Sequence, residues 1–120
     1  MDEHTNIQEL KDKIRQFCDD RDWDKYHNAK ELAIGIITEA SELLEQFRFK
    51  SEAEIDAMFK SSEKSEKICE EMADVFYFVL RLSQRYNLDL TSALNRKMEQ
   101  NSKKYPVEKC RSSNKKYDEL

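Results

Sequence analysis

A single glycine (Gly35) and a single proline (Pro106) punctuate 120 residues. Sheets need turns at short intervals, and tight turns draw on Gly and Pro, so little room is left for strands. Long helices are the economical alternative, and the chain is expected to be all-α, a bundle of four to five helices. This length amounts to one domain with a modest core. The helical domain is placed at residues 1–102, with a basic tail at 103–120 as part of the same functional unit.

Capping signals and apolar periodicity set the helices. Thr5 followed by Gln8 reads as a capping box for a first helix over 6–20, with Ile7, Leu10, Ile14 and Phe17 on one face. A polar stretch from Asp19 to Asn28 carries Trp23, Tyr26 and His27. The second helix is expected over 29–50. Ser51 with Glu54 opens a short helix to about Lys60, and 61–67 is a turn or helix entry. A long helix then runs to about Tyr86, ended by Asn87. Asp89 or Thr91 caps a last helix to about Ser102, and Pro106 closes off helical structure.

Charge is uneven along the chain. The net charge is −4, but from Ser102 to Leu120 six Lys/Arg face three acids, leaving the tail at +3 and the remainder at −7. An acidic body has no global attraction for nucleic acid or an anionic membrane. Cys18, Cys69 and Cys110 form no CxxC pair and no even framework, which points to a reducing compartment. The polar, acidic N-terminus leads to the expectation of no secretory signal, and the longest apolar run, Val75 to Leu80, is too short to span a bilayer. A cytoplasmic location is expected.

Acids three apart share a helix face, and with 25 acids available only placement can single out a pair. On the second helix Leu32, Ala33, Ile36, Ile37, Ala40, Leu43, Leu44 and Phe47 fill one arc, and Glu39 lies at its rim with Glu42 beyond. Gly35 sits mid-helix, where it costs about 1 kcal/mol against Ala. Close approach of a ligand or of a neighbouring helix would account for it. On the long helix Glu71 falls inside the apolar arc, between Phe78 and Leu82, and Asp74 lies just outside beside Arg81 and Arg85. An ionised glutamate there must be paired, protonated or bound to metal. If the two helices pack side by side, four carboxylates converge, and oxygen-only ligands select Mg²⁺, Mn²⁺ or Ca²⁺. The alternative is a set of solvated faces or ion pairs to Arg48, Arg81 or Arg85. Cys69, on the apolar arc, reads as core.

Glu39-x-x-Glu42, 28 residues, then Glu71-x-x-Asp74 resembles the ExxE…ExxD signature of the all-α nucleoside triphosphate pyrophosphatases, the MazG-like superfamily. Further segments resemble its dCTP pyrophosphatase-like branch: Arg21-Asp22-Trp23 with His27, Lys30 and Leu32, Lys97 with Asn101, Tyr105-Pro106-Val107-Glu108, and Arg111-x-Ser113-x-Lys115-Lys116-Tyr117. Ala29, Glu31, Phe49, Phe78 and Ser112 depart from that branch without touching the four acids. The resemblance implies hydrolysis of a nucleoside triphosphate to its monophosphate and pyrophosphate, on dCTP or a modified dCTP. Another nucleotide such as dUTP, or a non-enzymatic helical oligomerisation module, is the alternative. It implies Mg²⁺, with Mn²⁺ as substitute, on Glu39, Glu42, Glu71 and Asp74, which are also the expected catalytic residues. Substrate contacts are expected from Trp23, His27, Lys30, Phe49, Lys97, Asn101, Tyr105, Arg111 and Lys115. A homodimer or homotetramer is implied, with no nucleic-acid or membrane partner.

Overall fold

A computed structural model describes residues 1–120, and every regular element in it is helical. Helix α1 spans Ile7–Asp20, α2 Ala29–Glu45, α3 Glu52–Lys60, α4 Ser62–Arg85, α5 Leu90–Lys104 and α6 Val107–Cys110, with short 3₁₀ turns at Asp24–Tyr26 and Tyr117–Glu119. The chain divides into two compact units, Met1–Leu88 and Asp89–Leu120. The division falls before α5, and residue 102 lies within that helix.

In the first unit α4 is the common partner of α1, α2 and α3. Cys18, Leu32, Met58, Ile68 and Leu80 are its buried apolar side chains. Lys11 is buried as well, its Nζ donating to the Leu88 carbonyl at 2.6 Å. That bond ties α1 to the chain just beyond α4. Cys18 Sγ lies 3.3 Å from the Tyr77 hydroxyl, a second link between α1 and α4. No helix is long and apolar enough to cross a membrane.

Several boundaries differ from the sequence expectation. The first capping box is Asn6 with Glu9, one residue later than Thr5 with Gln8, because Asn6 takes the extended cap conformation and accepts from Glu9 N. Helix α2 stops at Glu45 instead of Lys50. Residues 46–50 turn back through bonds from Phe47 N to Leu44 O and from Lys50 N to Phe47 O, with Phe49 at φ 63°. Of the two readings of 61–67, turn or helix entry, the helix entry holds: Ser61 is both the last cap of α3 and the first of α4, and accepts from Lys64 N. Pro106 does not end helical structure but caps the one-turn α6, where its missing N–H is not needed.

The second unit contains α5, capped by Asp89, which accepts from Ser92 N. Its tail folds on itself, with Tyr117 edge-on to Tyr105 at 6.1 Å and Lys104 Nζ 4.8 Å from the Tyr117 ring centre.

Candidate active site

Helix α2 carries Glu39 and Glu42, and α4 carries Glu71 and Asp74. The packing of these helices depends on Gly35. A Cβ at that position would lie 2.5 Å from Phe78 Cδ1 and Cε1, so the neighbouring helix, not a ligand, accounts for the glycine. The contact falls one turn before Glu39 on α2 and one turn after Asp74 on α4, so it brings the acid-bearing turns together.

One ligand oxygen each from Glu39, Glu42 and Glu71 lie within 4.8 Å of one another. Glu39 Oε2 and Glu71 Oε2 are buried and have no hydrogen-bond partner. Buried polar atoms are ordinarily satisfied, so two orphaned acceptors facing one cluster mark a place for a missing donor or cation. The Glu42 carboxyl beside it, burial, and the charges of Asp74 and Glu71 push the Glu39 pKa up from 4.5 to about 7. A hard divalent cation held by all three carboxyls would offset this crowding of negative charge. The donor set fits such an ion. Asp74 is exposed and stays outside the tight trio, though its charge reaches Glu39.

None of the four acids pairs with a cation. Arg48 pairs with Glu45 at 3.1 Å. Arg81 and Arg85 turn instead to Asp24, at 3.0 and 2.7 Å. Ion pairing with these arginines, the alternative reading of the acid pairs, is therefore not what the fold builds.

The remaining candidates are spread over both units. Trp23, 38% exposed, sits edge-on to Phe17 at 5.6 Å. His27 Nδ1 accepts from Arg81 Nε at 2.9 Å. Lys30 is exposed, 3.7 Å from Glu31. Phe49 is 90% exposed, with the Arg48 guanidinium 4.6 Å from its ring centre. In the second unit Lys97 and Asn101 share a face of α5, Tyr105 caps it, and Arg111 and Lys115 lie beyond α6. Cys69, expected in the core, is exposed. It lines an open apolar cavity of about 610 Å³ with Leu43, Met72, Val75, Phe76 and Val79. The arginine network on Asp24 and His27 was not expected from sequence. Its signal was the stripe that Arg81 and Arg85 share with Asp74, which leaves the partner undetermined.

A profile of the MazG-like family matches residues 34–120, a span that holds all four acids. The chain is 33% identical over 105 residues to dCTP pyrophosphatase 1 of Homo sapiens and of Rattus norvegicus, and 32% identical to that of Mus musculus. Each match takes in 88% of this chain but 62% of the relative, so the chain spans less than two thirds of these relatives' length. A crystal structure of a pyrophosphatase from Archaeoglobus fulgidus DSM 4304 superposes with a TM-score of 0.79 at 38% identity, covering 86% of this chain and 94% of that one. With the family profile spanning more than half its length and all four acids inside the match, the chain belongs to the MazG-like family.

Proposed function

We propose that the protein hydrolyses a nucleoside triphosphate to its monophosphate and pyrophosphate with the help of Mg²⁺, and that dCTP or a modified dCTP is its substrate. The observation that carries this reading is that Glu39 and Glu71, each with a buried, unpartnered oxygen, belong to one cluster of acids brought together by two helices. The likeness to dCTP pyrophosphatase 1 supports the substrate class.

Glu39, Glu42, Glu71 and Asp74 would hold Mg²⁺, with Mn²⁺ as a substitute. A divalent cation bound there supplies charge neutralisation for the triphosphate and Lewis-acid activation at phosphorus. In the reaction a water oxygen bonds to the α-phosphorus, the α–β bridging P–O bond breaks, and pyrophosphate leaves with its electron pair. A glutamate of the cluster takes the proton of that water. Lys97, Asn101, Tyr105, Arg111 and Lys115 are assigned to the phosphates and sugar. Trp23 offers a stacking face to the base, and His27 and Lys30 at the start of α2 and Phe49 beyond its end are further substrate-side candidates. The three free cysteines suit a cytoplasmic setting.

The rival reading, a non-enzymatic oligomerisation module, draws on one observation. Ile37, Leu44 and Met72 are 71, 66 and 54% exposed, more apolar surface than a solitary chain needs to show. The two readings part in one assay. Purified protein is given each natural nucleotide and 5-substituted dCTP analogues, with and without Mg²⁺, and pyrophosphate is measured. Release is expected with Mg²⁺ alone, fastest from the dCTP class. No release from any nucleotide leaves the module. Glu71→Gln should lower turnover roughly 100-fold or more, the scale on which one charge-stabilising group is felt, with the fold intact or slightly more stable. Unchanged turnover refutes Glu71 as a ligand.

A further inference from the structure

The stretch between α1 and α2 is fastened by a group that an ordinary surface turn does not need. Arg81 is 1% exposed. Its Nε donates to His27 Nδ1 at 2.9 Å, its Nη2 to Asp24 Oδ1 at 3.0 Å, and its Nη1 to Gln84 Oε1. Arg85 Nε lies 2.7 Å from the same Asp24 oxygen. A buried guanidinium is costly unless its donors are met, and here two of its three partners belong to the turn. The acid cluster makes no use of it.

These bonds fix the chemistry of His27. A ring nitrogen that accepts carries no proton, so neutral His27 holds its proton on Nε2. Burial and the Arg81 charge push its pKa down, with Asp24 opposing and Arg85 assisting, so the ring is neutral at neutral pH. Nε2 has no partner within the chain and is not among the buried unpaired atoms. The Trp23 ring centre lies 6.1 Å from that of His27, and Asp22 before it is held at φ 54°. The turn thus sets a half-exposed aromatic face beside a single N–H donor. A flat heterocycle bearing an acceptor atom matches that pair. A phosphate does not, because the cation beneath is buried and already engaged.

We propose that Arg81 is a positioning residue for nucleobase binding: it clamps the turn at 21–28 to α4, so that Trp23 presents a stacking face and His27 an Nε2–H donor to an acceptor on the base. The inference rests on the nucleotide-hydrolase reading above.

Long-range ¹H–¹⁵N spectra of the intact protein report the His27 tautomer directly. The Nε2–H form is expected, and the Nδ1–H form overturns the proposal. Kinetics with the best nucleotide then compare Arg81→Met, Arg81→Lys and His27→Phe. Arg81→Met should raise KM about tenfold, the scale of one well-made hydrogen bond lost, with kcat within about twofold and unchanged Mn²⁺ affinity. Arg81→Lys should recover part of that loss. An Arg81→Met protein with wild-type Mn²⁺ affinity and wild-type KM overturns the proposal. Should Arg81→Met not fold, an unchanged KM in His27→Phe does the same. Wild-type protein that releases no pyrophosphate from any nucleotide removes the hydrolase reading and this one together. Active wild type with unaffected variants removes this one alone.

Discussion

The Glu39 carboxyl feels Glu42 beside it, burial, and the charges of Asp74 and Glu71, and its pKa rises from 4.5 to about 7. A raised carboxyl pKa means that the folded chain holds this proton more tightly than the unfolded chain does. The stability it contributes is complete below about pH 4.5 and is lost as pH rises through about 7. Without metal, melting temperature should therefore gain a downward component between about pH 5 and about pH 8, and Glu39→Gln should remove it. A divalent cation competes with the proton for the same oxygens, so Mg²⁺ should raise the melting temperature more at the alkaline end. Thermal melts in EDTA and in Mg²⁺ across this range check both parts. A Mg²⁺ increment that shrinks as pH rises contradicts them. At this scale the sequence is informative where the anomaly is local: Glu71 inside an apolar stripe is visible from spacing alone. The pairing of Arg81 with His27, 54 residues away, is not, because a stripe position names a direction and not the element that will meet it.

Among the elements, the α2–α4 contact decides whether the acids converge, and Gly35 is its narrowest point. Replacement by Ala would gain about 1 kcal/mol of helix propensity. The new Cβ would stand 2.5 Å from the Phe78 ring, and overpacking of this kind typically costs about 1–3 kcal/mol. Because the atom in the way is an aromatic ring, not the tip of a flexible chain, the steric cost should win. Gly35→Ala is expected to lower stability by about 1 kcal/mol and to weaken Mn²⁺ binding, since Glu39 follows one turn later. Denaturant melts and metal titration of Gly35→Ala and of Gly35→Ala with Phe78→Leu test this, the second change restoring what the first removes. An Ala variant more stable than wild type would show that the ring yields freely. The element boundaries show what sequence patterning can carry. Ser51 with Glu54 marks the start of α3 correctly, as both halves of that capping box form. The end of α2 is missed because no Gly or Asn announces it: Phe49, a bulky residue, takes the left-handed conformation instead.

For the whole molecule, the buried apolar set is short, while Ile37, Leu44 and Met72 of the two acid-bearing helices remain largely exposed. The sequence arcs that contain them are wider than one neighbouring helix can cover, which is why amphipathicity predicted burial that a single chain does not deliver. The same reasoning explains Cys69, which sits on an apolar stripe yet lines an open cavity with Met72 and Phe76. Covering this surface with a second copy would contribute roughly 25 cal/mol for each Å² of apolar area removed from water, and self-association makes the melting temperature depend on protein concentration. Light scattering coupled to gel filtration should accordingly find a dimer or larger species. Met72→Glu should shift that species toward the monomer, because an ionised carboxylate in a dry interface is penalised heavily. The variant leaves the four acids in place, so Mn²⁺ binding by the dissociated chain separates a ligand set complete within one chain from one that needs the assembly. Retained Mn²⁺ affinity in a monomeric Met72→Glu protein is the expected result, since Glu39, Glu42 and Glu71 already meet within a single chain. A wild-type protein that stays monomeric with a concentration-independent melt would defeat the assembly argument while leaving the acid cluster untouched.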